Sequence, residues 1–153
     1  MGNKHNCDPE FHAYLLENKV SQLPDVSKVG ELIKSTRIIV GTVASLSGMT
    51  ALLIRKGFSL AIIDEASQLL EPHLLPLLMA GDSDELAIQR FVFIGDHKQL
   101  PAVVQQTSYD SCVQDEELQA IGLFDCRHSL FERLYYAVPK CCVHEFTKQG
   151  RID

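Results

Sequence analysis

The chain has 153 residues, of which 46% are hydrophobic and 22% are charged, and its formal net charge is −6. This length suits one domain with a buried core, and the negative charge gives no sign of a nucleic-acid-binding surface. Charged residues interrupt every apolar run before the roughly 18 residues of a membrane span. Residues 1–12 are polar and do not resemble a signal peptide. We therefore expect a soluble intracellular protein without membrane contact, in the cytoplasm or nucleus, or in the cytoplasm if it is bacterial.

The five cysteines are odd in number and include no Cys-x-x-Cys pair. Cys141 and Cys142 are adjacent and are followed by His144, a spacing too tight for the usual zinc sites. We expect reduced thiols rather than disulfides or a metal centre.

Residues 1–36 are predicted to form an N-terminal helical segment. Helical patterns cover residues 8–22 and 25–35, and Asp25 is suitably placed to cap the second helix. Residues 37–153 are predicted to form a second region, which follows the helical segment.

Three apolar runs predict strands at residues 37–41, 59–64 and 90–96. They are rich in Ile, Val, Leu or Phe without polar alternation, which is typical of strands covered on both faces. Helical patterns at residues 44–57 and 71–81 separate them. This order predicts parallel strands with crossover helices, and therefore an α/β fold.

The region after the third predicted strand begins with a predicted loop at residues 106–111, followed by a short acidic helix at 115–121. A further helix begins after Ser129, which forms a capping-box pattern with Glu132. Residues 141–149 are a candidate fourth strand.

Polar residues follow each of the three predicted strands: Gly41 and Thr42, then Asp64 and Glu65, then residues 95–99. Ligands of open parallel sheets bind outside the carboxyl ends of the strands. A strand-terminal Asp can hold Mg²⁺ through water, and a neighbouring Glu can orient and deprotonate the attacking water. The amide of Gln99 can hydrogen-bond a γ-phosphate or that water. The pattern favours nucleotide hydrolysis.

Two longer stretches carry a resemblance to a known family. "IIDEASQ" (62–68) and "FIGDHKQLPAVV" (93–104) resemble motifs II and III of superfamily 1 helicases, in the branch of the up-frameshift (nonsense-mediated decay) helicase and its DNA-processing relatives. "IIVGTVASL" (38–46) is similar to the motif Ib region of that branch. "SLFERL" (129–134) resembles a stretch after motif III, and "FTKQGRID" (146–153) resembles the start of motif IV.

The resemblance implies that residues 37–153 form the C-terminal half of a RecA-like motor lobe of the P-loop NTPase class. It implies Mg²⁺ and ATP as cofactors and single-stranded RNA or DNA as partner. By position it implies these roles: Asp64 for Mg²⁺, Glu65 as general base, Gln99 for the γ-phosphate, Asp96 and Lys98 in shaping the nucleotide-binding loop, Thr42 for the nucleic-acid backbone, and Arg151 for the γ-phosphate. Gly150 and Ile152 stand where motif IV carries an aromatic residue and a methionine.

The sequence contains no Gly-x-x-x-x-Gly-Lys-Ser/Thr pattern, the loop whose backbone amides cradle phosphates. We therefore expect a fragment of an ATP-dependent helicase that supplies hydrolysis and coupling motifs but is inactive as an isolated chain. Such a half-lobe is expected to expose apolar sheet surface through which it can self-associate.

Other interpretations remain open. The chain could be a non-catalytic interaction or regulatory module derived from a helicase, whereas an unrelated P-loop ATPase fits "GDHKQLP" poorly. Thr42 is equally suited to capping the next helix, and Lys98 to being a solvated loop residue. Ser67 could bridge to motif III or stabilise its own turn, and the pair Tyr135 and Tyr136 could stack bases or pack on a helix face.

Overall fold

The computed structural model describes residue 5, residues 7–82 and residues 85–148. The chain divides into two compact units. The first contains residues up to Ala61 together with Pro72–Val92, and the second contains Ile62–Glu71 together with the residues from Phe93 onward. The predicted boundary between residues 36 and 37 stays a prediction.

The N-terminal segment is helical, as the sequence predicts, but its helices are short. A 3₁₀ helix at Pro9–Tyr14 precedes α1 (Leu16–Ser21), and a second 3₁₀ helix at Val26–Lys28 leads into α2 (Val29–Ser35). Asp25 Oδ1 accepts the N–H of Ser27 at 3.1 Å, so the predicted cap lies on the 3₁₀ helix, whereas α2 begins after Lys28 without a side-chain cap.

The predicted strand at residues 37–41 is wrong. These residues belong to no strand, and the side chains of Ile38 and Val40 are 79% and 80% exposed. An apolar composition does not by itself make a strand, because a strand also depends on a ladder to a neighbouring strand. Composition alone cannot reveal whether a neighbour is present.

The predicted helix at residues 44–57 is divided in two. Helix α3 (Val43–Ser47) and helix α4 (Thr50–Lys56) are separated by a turn at residues 48–49. The predicted C-terminal signal is confirmed at Gly57, whose φ of 64° is a conformation that glycine adopts without steric cost.

Strands β1 (Ala61–Ile63) and β4 (Phe91–Phe93) pair, and both lie within the predicted strand runs. In the first unit the N–H of Ala61 donates to the carbonyl of Arg90 at 2.9 Å, and in the second the N–H of Ile94 donates to the carbonyl of Ile63 at 2.8 Å. Partner numbers rise together along both strands, so the pair is parallel. The predicted α/β fold with a parallel sheet is therefore confirmed.

Between β1 and β4 lie α5 (Glu71–Leu78) and a small hairpin. Strands β2 (Gly81–Asp82) and β3 (Glu85–Leu86) are antiparallel, with Gly81 opposite Leu86. A Cβ on Gly81 would lie 2.9 Å from the Cα of Leu86, so only glycine fits at this position. The sequence interpretation took Gly81 as a helix end and missed the hairpin.

The second unit continues with three helices that are capped by side chains. Residues 106–111 were predicted to be a loop, but α6 (Ser108–Ser111) forms because Thr107 accepts the N–H of Asp110 at 3.3 Å. The predicted acidic helix is confirmed as α7 (Glu116–Ala120). The third is α8 (Leu130–Ala137), where Ser129 Oγ accepts the N–H of Glu132 at 3.1 Å as the capping pattern predicts.

The candidate fourth strand at residues 141–149 is wrong for the part that the structure describes. A 3₁₀ helix at Lys140–Cys142 is closed by a hydrogen bond from the Cys142 N–H to the Pro139 carbonyl at 2.8 Å. Residues 143–148 follow in irregular conformation. Local turn hydrogen bonds therefore replace the predicted ladder.

Each unit has its own buried apolar residues. Those of the first unit include Ile33, Leu53, Leu74 and Leu77, and those of the second include Ile63, Ala66, Val113 and Leu130. Among the described residues, every helix is too short or too polar to cross a lipid bilayer.

Candidate functional site

The acidic turn directly after β1 is the most unusual backbone feature of the second unit. Ile63 is buried, whereas Asp64 and Glu65 are exposed. Glu65 has φ 51° and ψ 36°, and it is the only non-glycine residue with positive φ in the part of the chain that is described. Asp64 Oδ1 accepts the N–H of Glu65 at 3.0 Å. A left-handed conformation costs a residue with a Cβ about 1–2 kcal/mol, and such residues concentrate at functional sites.

The residues that follow hold this strained turn in place. Ala66 and Ser67 are buried, with exposed fractions of 0% and 7%, in a short 3₁₀ helix at Ala66–Gln68. The N–H of Ala66 donates to the carbonyl of Ile94 at 2.8 Å. The acidic turn is therefore fixed to the residue that follows β4.

Gly95 lies against the backbone of the acidic turn. A Cβ at this position would be 2.9 Å from the Ser67 N and 3.3 Å from the Ala66 N. The Oγ of Ser67 accepts the N–H of Asp96 at 3.3 Å. Of the two interpretations left open for Ser67, the structure shows the bridge between the two stretches.

Asp96 organises the turn after β4, which we call the glutamine turn (residues 95–99). Its Oδ1 accepts the N–H of Lys98 at 2.9 Å, and its Oδ2 accepts Nε2 of Gln99 at 3.3 Å. The N–H of Gln99 also donates to the Asp96 carbonyl at 3.2 Å. The pKa of Asp96 is lowered, mainly by the backbone hydrogen bond from Lys98, with smaller contributions from Gln99 and from the charges of His97 and Lys98. Asp96 therefore shapes the loop, while the side chains of Lys98 and Gln99 are exposed.

His97 joins the glutamine turn to helix α8 through aromatic contacts. Its ring centroid is 4.4 Å from that of Tyr135 and 5.9 Å from that of Tyr136. The Tyr135 hydroxyl donates to the carboxylate of Glu145, and this hydrogen bond raises the pKa of Tyr135. The two tyrosines therefore belong to a packed cluster, of which Tyr136 is 71% exposed.

Helix α8 also contacts the segment after the acidic turn. Arg133 forms a two-pronged ion pair with Glu71, in which Nε lies 3.0 Å from Oε2 and Nη2 contacts Oε1. The side chains of Arg133 and Glu71 are only 14% and 17% exposed. Leu70 and Ser129 form an antiparallel bridge beside this pair.

The roles of two other predicted site residues stay predictions. Thr42 lies in the first unit, where its Oγ1 accepts the N–H of Ser45 at 3.2 Å and caps α3. This supports the capping interpretation, and because Thr42 is exposed, its contact with nucleic acid stays a prediction. Arg151 lies outside the described residues.

The acidic turn suits a hydrated divalent cation. Mg²⁺ keeps several waters and is commonly bound by one or two carboxylates together with substrate phosphates. Asp64 offers an exposed carboxylate oxygen at a strand end, and no cluster of three or more His, Cys, Asp or Glu ligands occurs among the described residues. This chemistry fits Mg²⁺ and does not fit a closed, all-protein metal cage.

Sequence reasoning missed the contacts made by helix α8. Glu71, Arg133 and Glu145 were not singled out, and no contact between His97 and Tyr135 was predicted. An Arg inside an amphipathic helix is only a weak indication of an ion pair, because a long cationic side chain on a helix is usually solvated. Its acidic partner is 62 residues away, and no local pattern predicts such a pair.

The fold and the polar turns at the ends of β1 and β4 define an α/β domain of the RecA-like type. The model of the AAA domain family matches residues 17–107, more than half of the chain. The chain therefore belongs to the AAA domain family.

Several helicases are similar to this chain. The mouse (Mus musculus) DNA replication ATP-dependent helicase/nuclease DNA2 is 29% identical over 137 residues, covering 88% of this chain and 11% of that protein. The human (Homo sapiens) protein of the same name is 33% identical over 124 residues, covering 80% of this chain and 9% of that protein. The chain thus spans about a tenth of the length of these curated relatives. These similarities support membership of helicase superfamily 1.

Proposed function

We propose that this chain supplies the Mg–ATP hydrolysis and coupling turns of an ATP-dependent superfamily 1 helicase that acts on single-stranded DNA or RNA. The observation that carries this proposal is the strained, exposed Asp64–Glu65 turn, held against the glutamine turn by Gly95 and Ser67. The names of the similar proteins, which are DNA replication helicase/nucleases, favour the DNA-processing members of the branch and DNA as the substrate.

In this proposal Asp64 and Glu65 have separate roles. Asp64 holds Mg²⁺, which supplies charge neutralisation at the phosphates when it is bound. Glu65 orients a water and takes its proton. Glu65 has a left-handed backbone and Asp64 does not, which supports different roles for the two neighbouring acids.

Gln99 is proposed to contact the γ-phosphate and to report its presence to the rest of the protein. Its side-chain amide donates to Asp96, so a movement of the Gln99 side chain changes the hydrogen bonding of Asp96. Asp96 and Lys98 shape the turn that presents Gln99. Thr42 is proposed to contact the nucleic-acid backbone, and Arg151 the γ-phosphate.

The isolated chain is proposed not to hydrolyse ATP at a helicase rate, because its sequence lacks the Gly-x-x-x-x-Gly-Lys-Ser/Thr loop. Steady-state ATP hydrolysis by the purified chain, with and without single-stranded DNA, tests this. We expect background rates. Fast turnover that Glu65→Gln abolishes would contradict the proposed inactivity and support the assignment of Glu65.

The role of Glu65 is tested in a polypeptide that joins this chain to a phosphate-binding loop and a second motor lobe. There Glu65→Gln is expected to stop hydrolysis and to leave ATP binding largely intact, because only the base is lost. Glu117→Gln, a change of another exposed acid on α7, is the matched control and should leave both unchanged. Hydrolysis that survives Glu65→Gln would remove Glu65 as the base.

The absence of a phosphate-binding loop pattern also supports a second candidate function, a non-catalytic interaction module. Apolar side chains on the strands, such as Ile62 at 64% exposed and Val92 at 44%, support self-association through exposed sheet surface. Sedimentation velocity over a concentration series measures this directly. A mass that stays at 17.1 kDa throughout would argue against it.

A further inference from the structure

We infer that helix α8 positions the acidic turn and the glutamine turn relative to each other, which makes Arg133 and Tyr135 positioning residues of the site. The inference rests on the proposed function, and it deepens that function by naming the residues that hold the metal-binding carboxylate in register with Gln99. Neither residue is expected to touch nucleotide.

The first contact of α8 is with the segment leaving the acidic turn. Arg133 uses Nε and Nη2 on the carboxylate of Glu71, and its Nη1 donates to the Ile121 carbonyl at 3.0 Å. A planar guanidinium can make all these bonds at once, and a lysine cannot. The adjacent Leu70–Ser129 bridge joins the same segment to Ser129, which is the N-cap residue of α8.

The second contact of α8 is with the glutamine turn. The rings of Tyr135 and His97 lie 4.4 Å apart with an interplanar angle of 33°, and His97 directly follows Asp96. Asp96 holds Gln99 by both backbone and side-chain hydrogen bonds. The Tyr135 ring therefore supports the turn from which Gln99 projects.

The spacing of these two contacts explains why the helix can act as a clamp. Arg133 and Tyr135 are two residues apart, and residues at this spacing point to different sides of an α-helix. The helix is thus held on one side by the ion pair and on another by the aromatic contact, which fixes its rotation. Ser67 and Gly95 join the two turns only at residues 94–96. Loss of either α8 contact is therefore expected to loosen the part of the glutamine turn beyond Asp96, which includes Gln99.

The experiment uses Mn²⁺ alone as a paramagnetic stand-in for Mg²⁺ with the purified chain. Mn²⁺ prefers the same oxygen ligands, and it broadens the amide NMR signals of nearby residues. The signal of interest is the broadening that Asp64→Asn removes, because other exposed acids also attract the ion. In the wild-type chain we expect this broadening at residues 64–66 and at residues 97–99.

Two variants test the clamp from its two sides. In Arg133→Lys and in Tyr135→Leu we expect broadening at residues 64–66 to persist and broadening at 97–99 to become measurably weaker than in the wild type. Tyr135→Leu keeps the Glu71–Arg133 pair, so it keeps the test decisive if Arg133→Lys fails to fold. Tyr135→Phe removes only the hydroxyl and keeps the ring against His97, so it should behave as wild type.

The matched control is Arg127→Lys, which weakens the other arginine–carboxylate pair of the second unit, with Asp125. It should leave both sets of signals broadened. Wild-type broadening at 97–99 in both Arg133→Lys and Tyr135→Leu would overturn the clamp. A wild-type chain that shows no Asp64-dependent broadening at 64–66 would instead contradict the proposed metal site, so the two failures are distinguishable.

Discussion

The second unit contains two kinds of carboxylate, and the contrast between them is informative. Glu71 and Asp125 are each paired with an arginine, and their side chains are 17% and 16% exposed. Asp64 and Glu65 lie exposed on a strained turn, and no ion pair involves either of them among the described residues. Glu71 and Asp125 thus have a cationic partner within the fold. The carboxylates of the acidic turn are exposed to solvent, as the proposed binding of a hydrated cation requires.

The contrast between paired and unpaired acids predicts that the largest loss of stability follows substitution of Arg133. Arg133→Met should lower the free energy of unfolding by about 3 kcal/mol, because it leaves the Glu71 carboxylate largely buried without its partner. Urea denaturation followed by circular dichroism measures the change. Arg127→Met is the control, and it should cost clearly less because Arg127 is 37% exposed and Asp125 keeps the hydrogen bond from the backbone N–H of residue 127 at 2.9 Å. Equal losses in the two variants would remove the distinction between the pairs.

Gly95→Ala sharpens the comparison by separating the two polar turns. The new Cβ would lie 2.9 Å from the Ser67 N, so the backbones must move apart, and we expect a loss of about 2 kcal/mol in stability. Gly30→Ala in α2 is the matched control, because nothing lies within 4 Å of its Cβ position. There alanine should raise stability by about 0.5–1 kcal/mol. Thermal unfolding of both variants measures these changes. A Gly95→Ala chain as stable as the wild type would show that Gly95 does not pack tightly against Ser67.

Glu65→Gly tests whether the acidic turn is kept at the expense of stability. Glycine adopts φ 51° freely, so the variant should be about 1 kcal/mol more stable than the wild type. The same change at Glu117, inside α7, should instead destabilise by about 1 kcal/mol. Chemical denaturation of the pair measures both. A loss of stability in Glu65→Gly would mean that the Glu65 side chain supports the fold.

The smallest effect is a pH dependence at the paired acids. The hydrogen bond from the Arg127 side chain holds the pKa of Asp125 well below its usual range. A carboxyl with a lowered pKa stabilises the folded state above its unfolded pKa of about 3.9, and this contribution is lost as the pH falls further. The melting temperature should therefore fall below about pH 4 more steeply in the wild type than in Asp125→Asn. Parallel curves for the two would contradict the pairing.

The sequence predicted the parts of the site that depend on local order along the chain. Strands β1 and β4 could be identified because apolar runs and the polar residues after them are contiguous. Their predicted coverage on both faces is wrong, because Ile62 is 64% exposed and Val92 is 44% exposed. Caps such as Asp25 and Ser129 could be identified for the same reason. These features need no knowledge of distant residues.

Features that depend on distant neighbours could not be predicted. The run at residues 37–41 has a strand composition but is not a strand, and the candidate strand at 141–149 begins with a 3₁₀ turn. The Glu71–Arg133 pair and the Tyr135–His97 contact join residues far apart in the chain. The left-handed backbone of Glu65 was also missed, because that conformation normally signals glycine or asparagine.

The central claim is that Asp64 presents a metal-binding carboxylate beside the glutamine turn. Titration of the ¹⁵N-labelled chain with Mn²⁺, compared with Asp64→Asn under the same conditions, tests it most directly. The account predicts selective broadening of the amides at residues 64–66 and 97–99 in the wild type and its loss in Asp64→Asn. Equal broadening of these amides in both chains, or none in either, would contradict it.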